Sequence, residues 1–286
     1  MSRCKKLGRV IIDELRLCYK AEPDTLLLLQ NVQQGERIDF DDFSICRIKS
    51  THIKYSFNVI DCSKKVVGHL YFGLHVHDDE KNLIWLKLEN RVLYENRIKD
   101  VIESVKGAFN LIFNNVTALD LAVDLDFNVT YAIRRRMKQS GITTIINGKA
   151  INHPTDVIKD MFLIYKTTLK RIVDPSIYLM QKKASTNKSK GLHMKSYNKK
   201  MEIESKGEKE YILKYYDNTK QLHRLEVHQN RDEIIDFCIK YNIELSEEML
   251  YDYEALSQMF YYHLSSILRF TEGRRKIGWK EILKMQ

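Results

Sequence analysis

The chain has 286 residues, with 47 Lys and Arg against 38 Asp and Glu and a formal net charge of +9 with histidines neutral. Its 44% hydrophobic and 10% aromatic content suffices for a full-sized core and excludes disorder as the dominant state, while 3 Pro and 11 Gly exclude collagen-like, linker-rich and low-complexity architectures. No run of 18 apolar residues, no apolar leader in MSRCKKLGRV, 5 scattered Cys and no Gly-rich phosphate loop together predict a cytoplasmic protein without membrane span, disulfide framework, thiolate zinc site, or ATP or NAD dependence. The basic balance makes a polyanion, nucleic acid first, the expected partner.

In chain order, Gly8–Tyr19 and 51–59 mix apolar and charged residues as strands and turns do. KVVGHLYFGLHVHDD and NLIWLKLEN read as a hairpin with a polar turn at Asp78–Asn82, because β-branched and aromatic residues alternate with polar ones. Ile98, Val101, Ile102, Val105 and Phe109 form one face of an amphipathic helix ending near Asn114–Asn115, which feeds a strand over Val116–Phe127. A basic helix follows in TYAIRRRMKQSG, with Gly141 as its C-cap. After a poorly patterned stretch to about Leu169, SIYLMQ and LHMKSYNKKMEIE flank the basic turn KKASTNKSKG as a second hairpin, with a helix starting around Lys199. HRLEVHQ (223–229) reads as a strand. From Asp232 to about Phe270 the pattern is helical, with Ser246 as an N-cap before Glu247 and Glu248.

Three segments concentrate chemistry. In TALDLAVDLDFN, period-two geometry puts Asp120, Asp124 and Asp126 on one strand face, where stacked like charges call for a compensating cation, a divalent metal or lysines. In GLHMKSYNKK an extended backbone places His193, Lys195, Tyr197 and Lys199 together, and ammonium groups beside a phenol favour its ionised, nucleophilic form. In LHRLEVHQN, Arg224, Glu226 and His228 share a face, so Glu226 can join the aspartates and Arg224 can grip a phosphate, or the two can form a surface ion pair. His75-Val76-His77 has the spacing of a metal-binding histidine pair in HUH endonucleases, and Tyr197 and Lys200 the Tyr-x-x-Lys spacing of that superfamily. The interval between them is longer than that likeness expects, and two surface histidines on a hairpin are the commoner case.

Taken together, VTALDLAVD, GLHMKSYNKKMEIE and HRLEV resemble the ordered motifs of the Rep_trans rolling-circle replication initiators, a pattern shared with MobT-type relaxases and filamentous-phage-type replication initiation factors. That pattern has a strand R-x-D-x-A-x-D, a hairpin ending in Y-x-K with a following acid, then R-x-E. Asp120 and Asp124, Tyr197 and Lys199, Glu202 or Glu204, and Arg224 with Glu226 match it, while Ala118 stands where the family often has Arg.

The resemblance implies an α+β fold. Its antiparallel-rich central sheet and flanking helices are HUH-nuclease-like, in direct or permuted order, with residues 1–230 as the nicking domain and 231–286 as a helical C-terminal extension packed on it. It implies Tyr197 as nucleophile assisted by Lys195 and Lys199, Mg²⁺ or Mn²⁺ held by Asp120, Asp124 and Glu226, and DNA contacts from Lys188, Lys190, Arg224, Arg134, Arg135 and Arg136, with Arg274–Lys276 adding charge. The implied partners are origin DNA, recognised as duplex and nicked as a single strand, and a host helicase and polymerase; a homodimer is a further expectation, and a membrane is not. The implied activity is tyrosine-mediated nicking that leaves a 5′-phosphotyrosyl link and a free 3′-hydroxyl for rolling-circle replication. A conjugative relaxase with the same chemistry, a non-catalytic DNA-binding regulator and a nuclease using water are the alternatives.

Overall fold

β-Branched and aromatic residues drive most of the strands, and the longest of them carry the site. The computed structural model describes residues 7–73, 82–151, 167–168, 171–172, 176–182 and 189–283, with backbone alone at 167–168, 171–172, 181–182 and 189–190. The first elements are β1 (Val10–Lys20), α1 (Pro23–Asn31), β2 (Arg37–Asp39), β3 (Phe43–Ile48), β4 (Tyr55–Asp61), β5 (Val66–Phe72), β6 (Leu83–Leu88), α2 (Asn90–Tyr94) and α3 (Ile98–Phe109). There follow β7 (Ile112–Leu125), α4 (Val129–Lys138), β8 (Ile142–Ile146), β9 (Lys149–Ile151), β10 (Thr167–Thr168), β11 (Arg171–Ile172), β12 (Ile177–Lys182) and β13 (Ser189–Asn198). The chain closes with α5 (Lys199–Lys206), α6 (Glu210–Tyr215), β14 (His223–Asn230), α7 (Arg231–Tyr241), a 3-10 turn (Glu248–Tyr251), α8 (Tyr253–Ile267), β15 (Leu268–Glu272), β16 (Arg275–Ile277) and α9 (Trp279–Ile282).

The fold is α+β, and it divides into two compact units built from interleaved stretches. A companion unit holds Ile12–Leu119 and Ile234–Tyr251; a site-bearing unit holds Met1–Ile11, Asp120–Glu233 and Asp252–Gln286. The expected division at residue 230 is therefore not the one the compact units follow. In the companion unit, β1, β6, β5, β4, β3 and β2 lie side by side with antiparallel registers such as Cys18↔Trp85 and Phe57↔Leu70. The predicted hairpin is β5–β6; its turn lies outside the described residues. Helix α3 buries Val101, Ile102, Val105 and Phe109 and ends with its apolar face at Phe109, before the expected Asn114–Asn115, because Asn110 turns left-handed (φ 49°) and β7 starts at Ile112.

In the site-bearing unit the strand order is β12, β13, β14, β7. Registers Tyr178↔Lys195, Lys195↔Glu226 and Tyr197↔Arg224 make β12–β13 and β13–β14 antiparallel, so the second predicted hairpin forms, with residues 183–188 of its tip outside the described set. Asn198 caps α5 by accepting from Met201 N, which is why the chain turns helical at Lys199. Helix α4 ends at Lys138 with Gln139 as its C-cap, and Gly141 (φ +80°) serves the turn into β8 rather than the cap. Asp252, not Ser246, caps α8, through Glu254 N and Ala255 N. The C-terminal stretch is not wholly helical: β15 and β16 form a hairpin that turns at Gly273 (φ +56°) and pairs with β8, Phe270 facing Thr144. No helix among the described residues is long and apolar enough to cross a membrane.

Candidate active site

Alternation along β13 and β14 divides their side chains cleanly. Leu192, Met194, Leu225 and Val227 are buried on one face; Ser196, on that face too, hydrogen-bonds Thr130 of α4 at 2.7 Å. The other face collects His193, Lys195 and Tyr197 from β13 and Arg224, Glu226 and His228 from β14, as the sequence predicts.

β7 lies beside β14 and is buried at every position from Ala118 to Leu125. Arg224 grips Asp124 in a two-pronged fork, Nε donating to Oδ1 at 2.7 Å and Nη2 to Oδ2 at 2.6 Å, and both side chains are 0% exposed. Four residues further along each strand, in opposite chain directions, His228 Nδ1 pairs with Asp120. The strands thus run antiparallel here, and Ala122 and Glu226 are the middle residues of this face.

Glu226 is the hub. Tyr197 Oη donates to its Oε2 at 3.0 Å, and Lys195 Nζ to its Oε1 at 2.9 Å. Lys199, 3% exposed, reaches back from the first turn of α5 to donate to Tyr197 Oη at 3.4 Å and to Glu202 Oε2 at 2.8 Å. Lys206 Nζ donates to the other Glu202 oxygen at 2.8 Å. Burial alone would raise the Glu202 carboxyl, but Lys199 and Lys206 bring it down to about 2. Burial would likewise lower Lys195, yet the charge and hydrogen bond of Glu226, with Asp120 beyond, hold its ammonium above the usual lysine value. His193 stacks on His228 at 4.5 Å between ring centroids. Burial, then the neighbouring His228 and Lys195, bring His193 down to about 3, so it is neutral. His228 moves the opposite way: burial opposes its charge, and the hydrogen bond and charge of Asp120 outweigh that and raise it.

Gly191 makes this arrangement possible. A methyl group there would collide with the Asn230 side chain, which bonds His228 Nε2 at 3.0 Å and so fixes the ring that meets Asp120.

The expected residues are thus partly gathered and partly redistributed. Tyr197, Lys195, Lys199, Glu226 and Asp120 belong to one polar cluster. Lys195 serves Glu226 rather than the phenol, and of the two candidate acids it is Glu202 that binds Lys199 while Glu204 is exposed. Asp124 is sealed against Arg224, which removes Arg224 as a surface DNA contact because its guanidinium is fully buried. Arg136 is also buried, tied to Gln139 at 2.9 Å and near Glu281 at 3.9 Å; Arg134 is half-buried and Arg135 exposed. Lys200 donates to the carbonyls of Thr219 and Lys220. Lys188, His75, His77 and the side chain of Lys190 lie outside the described residues. What sequence spacing missed is the phenol-to-Glu226 bond; the β13–β14 register that creates it becomes visible only once the strands are paired.

Among the described residues no group of three or more His, Cys, Asp or Glu is gathered so as to hold a metal ion. Asp124 does not fit a metal site, since Arg224 takes both its oxygens. Glu226 likewise has both oxygens engaged, by Tyr197 Oη and Lys195 Nζ, and Asp120 meets His228, so a cation such as Mg²⁺, which keeps most of its waters and uses only one or two carboxylates, would have to share Asp120 and Glu226 with these partners.

No family model matches the chain. No curated protein matches it either. Among solved structures it is similar to a rolling circle replication initiator protein from Geobacillus stearothermophilus, at 11% identity and a TM-score of 0.43, covering 96% of this chain and 91% of that one.

Proposed function

We propose that this protein is a replication initiator that nicks origin DNA with Tyr197 as nucleophile. The observation that carries the reading is the Tyr197–Glu226 hydrogen bond at 3.0 Å with Lys199 Nζ 3.4 Å from the same phenol oxygen. A carboxylate accepting the phenol proton is placed as a general base, and a buried ammonium beside the same oxygen offsets the phenolate charge as it develops. Lys195 holds Glu226 in the orientation that receives the proton, and Lys199 is held in turn by Glu202. The phenolate then bonds to phosphorus, the bond from phosphorus to O3′ breaks, and O3′ takes up a proton from solvent. The products are a 5′-phosphotyrosyl link and the 3′-hydroxyl that a host polymerase extends, with a host helicase opening the duplex. Asp120 and Glu226 are the residues that would hold Mg²⁺ or Mn²⁺, which when bound neutralises charge on the phosphoryl oxygens.

Conjugative transfer would use the same chemistry and the same motif pattern, and genetic context rather than sequence separates the two. The test incubates the full chain with Mn²⁺ and a labelled pool of randomised single-stranded oligonucleotides, followed by denaturing electrophoresis. A covalent adduct is expected with the wild type and none with Tyr197→Phe. An adduct that persists in the variant removes Tyr197 as nucleophile; cleavage with no adduct points to water as the attacking group, and tight salt-sensitive binding without cleavage to a binding-only regulator.

A further inference from the structure

Helix α4 carries a second feature that the Tyr197 chemistry does not use. Its inner face buries Val129, Thr130 and Ile133. Its outer face sets Tyr131, Arg134, Arg135 and Lys138 at i, i+3, i+4 and i+7, a stripe about 10 Å long from the helical rise. These four residues line a groove of about 940 Å³, to which Phe127 and Ile282 also contribute. Tyr131 is 65% exposed although it is a large aromatic residue. Arg134, Arg135 and Lys138 have no acidic partner among the described residues, whereas the neighbouring Arg136 is spent on Gln139 and Glu281.

Either half of this feature alone is ordinary, since single exposed aromatics and solvated cations occur on most surfaces. Their combination in one concave site is the pairing that single-stranded nucleic acid requires: a ring for a base face and cations for the phosphates on either side. A duplex keeps its bases stacked on each other and offers no free face to a ring. We propose that the α4 groove binds single-stranded DNA, with one base stacked on Tyr131 and adjacent phosphates against Arg134, Arg135 and Lys138. It rests on the nicking function only for the identity of the natural strand.

The test measures anisotropy of a fluorescein-labelled 15-nucleotide oligo(dT), and of a labelled hairpin duplex, with the full chain. Tyr131→Ala is expected to weaken oligo(dT) binding on the order of tenfold, Tyr131→Phe to bind as wild type and Tyr131→Leu to behave as the alanine variant, because stacking and not mere apolar bulk is at issue. Duplex affinity should change less than twofold. Removing both cations in Arg135→Ala/Lys138→Ala should lower the slope of log affinity against log salt by about 1.4, roughly 0.7 per lost phosphate contact. Wild-type affinity in Tyr131→Ala, equal weakening in Tyr131→Phe, or an unchanged salt slope would each overturn the proposal. Failure is separable from that of the nicking reading: absence of a wild-type adduct leaves these binding results standing, and an adduct with no effect of Tyr131→Ala removes the groove alone.

Discussion

The face shared by β7 and β14 has two ends built from the same kind of parts and put to different use. At one end Asp124 and Arg224 bind each other through two hydrogen bonds in a site with no solvent exposure. At the other, Asp120 meets a histidine whose side chain is 22% exposed, and Glu226 meets a half-buried phenol and a lysine that is 38% exposed. A carboxylate saturated by a buried guanidinium has no capacity left for substrate; a carboxylate that holds a phenol proton near solvent has. The motif D-x-A-x-D therefore contains one residue that holds the strands together and one that faces the chemistry.

The two ends should respond to mutation in different measurements. The largest effect is expected from Glu226→Gln: adduct formation should slow by about 10²–10⁴-fold, as for loss of a general base; a rate within threefold of wild type would reassign the proton acceptor. Asp124→Asn at the sealed end should instead cost about 3–5 kcal/mol in urea unfolding, because it leaves a guanidinium buried beside a neutral amide. If that variant keeps wild-type stability but loses activity, the sealed end takes part in the chemistry after all. Gly191→Ala should cost about 1–3 kcal/mol by displacing Asn230, and NMR of the His228 ring should show its Asp120-bound state disturbed.

The smallest effect is a pH dependence. Glu202 sits at about 2 in the folded chain against an ordinary value of 4.5, so its contribution is complete above about pH 4.5 and is lost as pH falls toward 2. Urea titrations should show Glu202→Gln losing less stability than wild type across that window, by on the order of 1 kcal/mol after solvent screening. Equal acid slopes would mean that Lys199 is not held by a charged partner.

Period-two alternation was enough to place Tyr197, Lys195, Glu226 and His228 on one face, because strand geometry assigns faces without knowledge of neighbours. It could not say which cation would meet which anion. Arg224 and Glu226 look alike as surface charges in HRLEV, yet one is sealed with Asp124 and the other holds a phenol; only the lateral pairing of β13, β14 and β7 decides. The sequence marks Tyr131 only as part of a basic helix, since its exposure depends on which side of α4 the core occupies. The β15–β16 hairpin escaped notice for a related reason: LRFTEGRRKI follows an apolar helical run directly, and its partner β8 lies more than a hundred residues earlier.

The interleaving of the two compact units limits how the gene product can be dissected. A truncation after residue 230 would remove a segment of the companion unit, Ile234–Tyr251, and the closing segment of the site-bearing unit together. No single cut yields either unit whole, so minimal fragments for crystallisation or binding studies would have to be rejoined or permuted sequences, and a frameshift or proteolytic nick in α7 should cripple both units at once.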